Sequence, residues 1–311
     1  MIARQEAPTI SSAEFAARRR RLLDQLGKQS VAILQAASLQ TRNSDAEYPF
    51  RQNSDFLYLT GFNEPDAVAL FVPEREEGEF ILFCLEKDPT AERWTGIRAG
   101  TEGAVEQYGA DQAFLLSELD KKVVEFTSGR DEIHYLIGSD ARLDQRVIIW
   151  LKQIQAKKRL GVVPPTKLVS LGGVVHDMRL FKSTEEIAMM QYAADTSAHA
   201  HTQAMVACAP GKFEFEIEAG LIGDFRRKGM EPAYTSIVGG GENACILHYI
   251  ENRGELKSGD LLLIDAGGEH HAYASDITRT FPVNGQFSEP QRQLYQLVLD
   301  AQLAAIAQVK P

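Results

Sequence analysis

Two acidic residues lie within strand-like stretches near the end of the chain, in SGDLLLIDAGGEHHAYASDITRTFPV (258–283). Asp265 follows four aliphatic residues, and Asp276 begins the next β-forming run 11 positions later. Because side chains alternate along a strand, a hairpin turn centred between His270 and His271 places the two acids directly opposite each other. The pattern therefore predicts a hairpin whose two carboxylates share one face, with Cβ atoms about 4.5–5.5 Å apart.

Two half-buried carboxylates at that distance repel each other unless one is protonated or a cation lies between them. Two divalent cations about 3.5–4 Å apart, held by shared carboxylates, form a site that activates water for hydrolysis. The spacing alone leaves a structural alternative open. In that alternative, Asp265 ends its strand and caps a turn at Gly267 and Gly268, while Asp276 pairs with Arg279.

The first half of the chain mixes strand-like and helical patterns, which is typical of an α/β domain with its own sheet. The strand-like runs cover residues 30–36, 67–72, 79–85 and 132–138. The helical patterns cover residues 12–26, 115–127 and 141–157. The basic run Arg18–Arg21 lies in the first helical pattern and is interpreted as a solvated helix face. Prolines and a glycine pair in 161–173 indicate the approach to a domain boundary.

Helix-start signals mark a second region after this boundary. A serine with Glu or Gln three residues later forms a capping box at Ser183–Glu186 and at Ser288–Gln291. Another helix is predicted from about Glu214 to Gly229, strands dominate from about 234 to 283, and the last helix is predicted to reach almost to Pro311. We therefore predict two domains, residues 1–178 and residues 179–311.

Composition limits the class of protein. A chain with 44% hydrophobic and 24% charged residues is typical of a soluble globular protein. Its net charge of −10 disfavours nucleic acid or an anionic membrane surface as a partner. Three cysteines without a CxxC spacing argue against a disulfide framework and favour the reducing cytoplasm.

Four segments carry a resemblance to a known family. LLLIDAGGEHHAYASDITRTFPV resembles the metal-binding hairpin of the aminopeptidase P and prolidase family of metallopeptidases. GGGENACILHYIENRGELKSGD (239–260) and RLFKSTEEIAMM (179–190) are similar to other parts of its catalytic domain. YPFRQNSDFLYLTGFNEPDAVAL (48–70) resembles the N-terminal domain of aminopeptidase P in particular. The resemblance covers most of the chain.

The resemblance implies an α/β (α+β) fold, in which an N-terminal mixed α/β domain precedes the first half of a pita-bread catalytic domain. It also implies an Xaa-Pro aminopeptidase that removes the first residue of a peptide whose second residue is proline, with two divalent metal ions, most often Mn²⁺. Asp265 and Asp276 match two metal ligands. His248, in ILHY, matches a histidine that contacts substrate and stabilises the tetrahedral intermediate. Trp94, in ERWTGIRAG, matches a stretch that reaches toward an active site in oligomeric members; packing is the alternative for it.

The sequence departs from the family in its ligand set. The family's metal site takes two Asp, one His and two Glu, and the last three come from the second half of the catalytic domain. This chain is expected to lack those three ligands, and so to be incomplete and inactive alone. His270 and His271 are interpreted as exposed turn residues. His199 and His201 lie two apart on a helix and are not expected to form a metal pair.

Three functional hypotheses remain open at this point. They are a metallo-aminopeptidase, a prolidase-like Xaa-Pro dipeptidase, and a non-catalytic fragment that retains an association role. The stretch FRQNSDFLYLTGF favours the first over the second. The expected partners are peptides that begin Xaa-Pro, and other copies of the chain in a dimer or tetramer. Nucleic acid and membrane are not expected as partners.

Overall fold

The computed structural model describes residues 7–310. They divide into two compact units, one of residues 10–183 and one of residues 184–310 together with residues 7–9. The domain division at 178/179 stays a prediction, since compactness by itself does not define a family domain. Over residues 7–310, no helix combines the length and the apolar character needed to cross a membrane.

A mixed sheet forms the centre of the unit 10–183. The strands of this unit are β1 (Ser30–Gln35), β2 (Thr41–Asn43), β3 (Ala46–Glu47), β4 (Val68–Phe71), β5 (Phe80–Cys84), β6 (Gln112–Leu115), β7 (Glu132–Tyr135) and β8 (Lys167–Ser170). The sheet has the order β6–β5–β4–β1–β7–β8, and β2 and β3 form a separate hairpin. Strand β4 is antiparallel to β1 and β5, while the pairs β1–β7, β7–β8 and β5–β6 are parallel.

Helices cover both faces of this sheet. They are α1 (Ser12–Gln25), α2 (Ser54–Thr60), α3 (Pro89–Thr95), α4 (Gly100–Glu106), α5 (Leu119–Thr127), α6 (Ala141–Ala156) and α7 (Gly172–Leu180). Alternate residues of β1 point to opposite faces, so Val31 and Ile33 join the core cluster that contains Trp150. Ala32 and Leu34 join the other cluster, which α1 and α2 help to form.

The stretch 161–173 contains β8, which extends the sheet beside β7, and the first residues of α7. The compact unit ends shortly after this stretch, at Ser183. One prediction in this unit is wrong. The basic run is only half solvated, because Arg18 and Arg19 are buried. Arg18 donates to the Tyr58 carbonyl oxygen at 3.1 Å, and Arg19 donates to the Leu59 carbonyl oxygen at 3.3 Å. Both guanidinium groups thus satisfy carbonyls in the last turn of α2, a common role for cations at helix ends.

The unit that begins at Thr184 consists of α8 (Thr184–Ala207), α9 (Glu214–Arg227), α10 (Glu289–Ile306) and short strands. The strands are β9 (Glu231–Pro232), β10 (Ile237–Gly240), β11 (Leu261–Asp265), β12 (Gly268–His270), β13 (Tyr273–Ala274) and β14 (Thr278–Pro282). They form two sheets, with the orders β10–β11–β14 and β13–β12–β9. Residues of α8 and α9 pack with β10, β11 and β12 around one core cluster, and this packing positions the hairpin described next.

The α/β class and the predicted helix starts are confirmed. The box at Ser288 forms as predicted, since the Ser288 amide donates to Gln291 Oε1 at 2.9 Å. The last helix ends at Ile306, which is earlier than predicted. Across its described length α10 buries no side chain, and its apolar stripe of Leu294, Leu297 and Val298 is exposed.

Candidate active site

One antiparallel hairpin carries both of the acids that the sequence singled out. Strand β11 pairs with β14, and Asp265 lies opposite Thr278. The Ala266 amide donates to the Ile277 carbonyl oxygen at 3.1 Å, which continues the same register into β12 and β13. Asp265 is therefore the last residue of β11, and Asp276 lies between β13 and β14.

The predicted direct opposition of the two acids is wrong, because the turn lies one position later than expected. His270 pairs with Tyr273, and the intervening His271 and Ala272 have positive φ angles of 47° and 67°. Such angles at both central residues are typical of the tight turn that matches strand twist. Moving the turn centre by one position moves each partner by two, so Asp276 keeps the face that the sequence predicted.

Gly267 allows the two limbs of the hairpin to approach closely at this point. A Cβ atom at Gly267 would lie 1.8 Å from the Ser275 carbonyl oxygen and 3.2 Å from the Asp276 amide nitrogen. Any side chain here would therefore push the two limbs apart and separate the two acids. The glycine signal in the sequence thus marks a close backbone approach.

The two carboxylates converge on one hydroxyl group. The Tyr234 hydroxyl lies 2.6 Å from Asp265 Oδ1 and 3.1 Å from Asp276 Oδ1. Burial and the two neighbouring carboxylates raise the pKa of Tyr234 well above its ordinary value, so the phenol keeps its proton. The sequence alone does not indicate Tyr234, because it lies far from both acids along the chain and no local spacing connects it to them.

Helix α8 holds the backbone of the hairpin from behind. Ser197 Oγ accepts from the Gly268 amide at 3.0 Å and lies 2.7 Å from Ser275 Oγ, which donates to the Gly268 carbonyl. His201, one turn further along α8, donates from Nε2 to the Ala266 carbonyl at 2.9 Å. Burial lowers the pKa of His201, so it remains neutral in this role. These bonds fix the chain next to both acids.

The histidines of the turn differ from the prediction. His271 is exposed, as expected, but His270 is buried. His270 Nε2 donates to the Pro8 carbonyl oxygen at 2.9 Å. The centroid of its ring lies 4.9 Å from the centroid of the Tyr192 ring. The sequence could not indicate this burial, because both contacts are distant along the chain. Neither observation makes these histidines metal ligands.

His248 lies on an exposed loop, which we call the ILHY loop and define as residues 240–254. The loop leaves β10, passes through a short 3-10 helix at Gly241–Cys245 and returns toward β11. His248 is exposed, whereas Tyr249 beside it is buried. The structure thus presents His248 at the surface of the loop, where an imidazole can reach a ligand.

Trp94 lies in α3, in the other compact unit. Its side chain is 87% exposed, and the side chain of Ile97 nearby is similarly exposed. Trp94 therefore does not pack in the core of its own unit. Packing within the unit, the alternative stated for it above, does not account for this residue.

The sequence matches two family descriptions in succession. Residues 15–135 match the aminopeptidase P N-terminal domain, and residues 188–311 match metallopeptidase family M24. The chain is 43% identical to the Xaa-Pro aminopeptidase of Escherichia coli strain K12 over 304 residues, which are 97% of this chain and 69% of that relative. The chain belongs to the aminopeptidase P family. The Xaa-Pro aminopeptidase of Haemophilus influenzae is 39% identical over 96% of the chain and 67% of its own length.

Solved aminopeptidase P structures have the same fold as this chain. Aminopeptidase PepP of Pseudomonas aeruginosa superposes with a TM-score of 0.96 at 50% identity. The match spans 97% of this chain and 69% of the PepP chain. Zinc-substituted aminopeptidase P of E. coli in complex with product superposes with a TM-score of 0.94 at 43% identity and the same coverage. These likenesses confirm the predicted order of an N-terminal mixed α/β domain followed by part of a pita-bread domain.

The acid pair is suited to a role in an aminopeptidase P metal site. Asp265 and Asp276 both direct an oxygen at the same point, and carboxylate oxygens are the ligands that Mn²⁺ and similar hard cations prefer. Within residues 7–310, however, no cluster of three or more His, Cys, Asp or Glu side chains could hold a metal ion. Among the described residues, the site that the sequence singled out therefore consists of two carboxylates and the Tyr234 hydroxyl between them.

Proposed function

We propose that this protein is a metal-dependent aminopeptidase that releases the first residue of peptides with proline in the second position. The observation that carries the proposal is the convergence of Asp265 and Asp276 on one hydroxyl, in a chain whose relatives are Xaa-Pro aminopeptidases over nearly its whole length. Two carboxylates held close together repel each other unless a cation or a proton compensates their charge. A pair of acids with only a structural role would gain nothing from being placed in this way.

Asp265 and Asp276 would hold two divalent ions, and Mn²⁺ fits their hard oxygen atoms. When bound, such ions neutralise the carboxylates and lower the pKa of a water molecule so that it can hydrolyse a peptide bond. His248 would donate a hydrogen bond to the substrate carbonyl oxygen as negative charge develops on it. A donor aimed at this developing charge stabilises the transition state more than the ground state.

The exposure of the Trp94 side chain supports association between protomers. A tryptophan exposed as fully as this one, with Ile97 beside it, is the type of surface that interfaces bury. We infer that a dimer or tetramer brings Trp94 of one protomer toward bound substrate. The cytoplasm is the expected compartment, since the chain's cysteines, all within the described residues, form no disulfide.

The test compares two samples, the 311-residue chain and the longest product that its gene encodes. Each is incubated with Mn²⁺ and a tripeptide Xaa-Pro-Xaa, and the released amino acid is identified by mass spectrometry. An Xaa-Ala-Xaa tripeptide and added chelator serve as controls. Release of the first residue by the longest product, only with proline second and only with metal, supports the proposal.

Two results would contradict the proposed activity. Cleavage of the dipeptide Xaa-Pro without cleavage of the tripeptide would assign the protein to the dipeptidase alternative. The absence of metal-dependent release from either peptide would leave the acid pair without the proposed role.

The 311-residue chain alone is predicted to bind Mn²⁺ weakly and to show no turnover. Two carboxylates cannot replace the full hydration shells of two ions, and Mn²⁺ lies at the weak end of the divalent series. Isothermal titration calorimetry with Mn²⁺, beside the peptide assay, measures both properties. Micromolar affinity or turnover above the no-enzyme rate would show that the described residues provide more ligands than the acid pair.

A further inference from the structure

Glu214 is a buried acidic residue that the proposed chemistry does not use. It is the first residue of α9, and only 1% of its surface is exposed. The helix end does not require it, because Glu216 fills the capping role by accepting from the Phe213 amide at 2.8 Å. The burial of a carboxylate at this position therefore needs another explanation, since an uncompensated buried charge is strongly unfavourable.

Four hydrogen bonds from the ILHY loop converge on the Glu214 carboxylate. Oε1 accepts from the Gly240 amide at 2.7 Å and from Asn243 Nδ2 at 3.0 Å. Oε2 accepts from the Tyr249 hydroxyl at 2.7 Å and from the Gly254 amide at 2.6 Å. Only the ionised carboxylate can accept all four, because a protonated oxygen would place its own hydrogen against one of these donors.

These hydrogen bonds also decide the charge of the group. Burial by itself raises the pKa of Glu214, but the bonds from Asn243, Gly240, Tyr249 and Gly254 outweigh it and lower the pKa below its ordinary value. A carboxyl group with a lowered folded-state pKa stabilises the fold above its unfolded-state pKa. That stabilisation is lost as the pH falls through the folded-state pKa.

The loop is built closely around this carboxylate. A Cβ atom at Gly254 would lie 2.7 Å from Asn243 Nδ2 and 2.9 Å from Glu214 Oε1, so a side chain here would push both groups away. The Glu214 amide also donates to the Gly254 carbonyl oxygen at 3.0 Å. Main chain and side chain of one residue thus hold both the start and the end of the loop.

Tyr249 connects this anchor to the exposed part of the loop. Its hydroxyl donates to Glu214 and accepts from Asn243 Nδ2 at 3.0 Å and from the Arg253 amide at 3.3 Å. Because Tyr249 is held inward by these bonds, the residue before it, His248, is held at the surface. The position of the backbone that carries His248 therefore depends on the hydrogen bond between the neighbouring Tyr249 and Glu214.

We propose that Glu214 is a positioning residue for His248, whose carboxylate anchors the ILHY loop through Tyr249 and the loop backbone and so sets where the imidazole stands. The inference rests on the role proposed above for His248. In this role Glu214 acts through Tyr249 and the loop backbone.

The first test measures amide hydrogen exchange in the 311-residue chain. Glu214→Gln has nearly the same shape but replaces one acceptor oxygen with a donor, and Glu216→Gln is the matched control in the same helix turn. We expect exchange across residues 240–254 to rise on the order of tenfold to a hundredfold in Glu214→Gln, since each bond to a charged group contributes roughly a factor of ten or more. Exchange in β11 and in the control should stay unchanged.

Tyr249→Phe is a second, milder variant, which keeps the proposal testable if Glu214→Gln destabilises the whole unit. This variant removes one of the four bonds and keeps the carboxylate, so a smaller rise confined to the loop supports the anchor. An unchanged loop in Glu214→Gln overturns the proposal. A loss of protection throughout the unit in Glu214→Gln with no change in Tyr249→Phe also overturns it.

A pH series tests whether the anchor depends on the negative charge of Glu214. After correction for intrinsic exchange, protection of the Gly240 and Gly254 amides should fall as the pH drops through the lowered pKa of Glu214. The Glu214→Gln variant should show no such step, because it has nothing to titrate there. A step of equal size in both proteins would assign the effect to another group and contradict the proposal.

The final test uses the peptidase activity of the longest gene product. Glu214→Gln should lower kcat more than it raises KM, and adding Glu214→Gln to His248→Ala should cause little further loss. Fully additive losses would overturn positioning through His248. If His248→Ala is silent, the proposed role of His248 fails and its positioning with it, while the exchange data still decide whether the anchor exists.

Discussion

The two compact units of this protein differ in how much of their apolar surface they bury. The unit 10–183 covers both faces of its sheet, so that even Trp150 is only 1% exposed. The unit that begins at Thr184 has one core cluster, between α8, α9 and the hairpin, and its helix α10 exposes residues such as Leu297 at 67%. Stability is therefore expected to depend on packing in the first unit more than in α10 of the second.

The two units also differ in what their residues contribute: packing stability in the first unit, and the proposed chemistry in the second. In the first unit the largest side chains are fully buried and contribute through packing. In the second, the acids and His248 stand at or near the surface, and hydrogen bonds from α8 and Glu214 hold the chain beside them. Substitutions of the site residues should consequently change activity with little change in stability, and core substitutions in the first unit should do the reverse.

The largest expected effect is on activity. Asp265→Asn or Asp276→Asn in the longest gene product should reduce Xaa-Pro hydrolysis to the no-enzyme rate, because a carboxamide cannot offset the charge of a cation. Bound metal should fall by at least one ion, as measured by elemental analysis. Asp300→Asn on exposed α10 is the control. Normal turnover with two ions retained in both variants would remove these acids from the metal site.

The next largest effect is on the stability of the first unit. Trp150→Ala should lower its free energy of unfolding by about 3–5 kcal/mol, the usual range for removing a large buried aromatic side chain. The substitution also removes the hydrogen bond from Trp150 Nε1 to Asp120 Oδ1 at 2.7 Å. Urea titration followed by circular dichroism measures the change. Ile148→Ala, a partly exposed position in the same helix, is the control, and an equal loss in both variants would contradict the comparison.

His248→Ala should affect activity without a comparable effect on stability. We expect kcat to fall on the order of 10²–10³-fold with a smaller change in KM, which marks a hydrogen bond made mainly in the transition state. Steady-state kinetics on Xaa-Pro-Xaa peptides, beside a thermal melt of the same sample, gives both quantities. A variant with near-normal kcat would show that the exposed imidazole has no role in the reaction.

The smallest expected effect is in α10. Leu297→Ala in the 311-residue chain should change the free energy of unfolding by less than about 0.5 kcal/mol, because the side chain is already exposed. The same urea titration as for Trp150→Ala allows a direct comparison. A loss of several kcal/mol would mean that α10 is covered in solution, and the contrast between the two units would then be wrong.

Local sequence patterns determined most of the elements in both units. Short strand-like runs, mostly of continuous apolar residues, predicted β1, β4, β5 and β7, and the capping boxes predicted the starts of α8 and α10. These signals depend on neighbours a few residues apart, which is why they can be identified without a tertiary structure. They also placed both acids on one face of a hairpin, and an error in the turn left that result intact because the strand period is two.

Contacts between distant parts of the chain decided the rest. The burial of Arg18 and His270, the convergence of the acids on Tyr234 and the anchor at Glu214 each depend on a partner at least 26 residues away. A polar side chain has the same local pattern whether it is solvated or buried with partners. Only the tertiary structure can bring donors and acceptors together, and their satisfied hydrogen bonds are what make burial of these groups favourable.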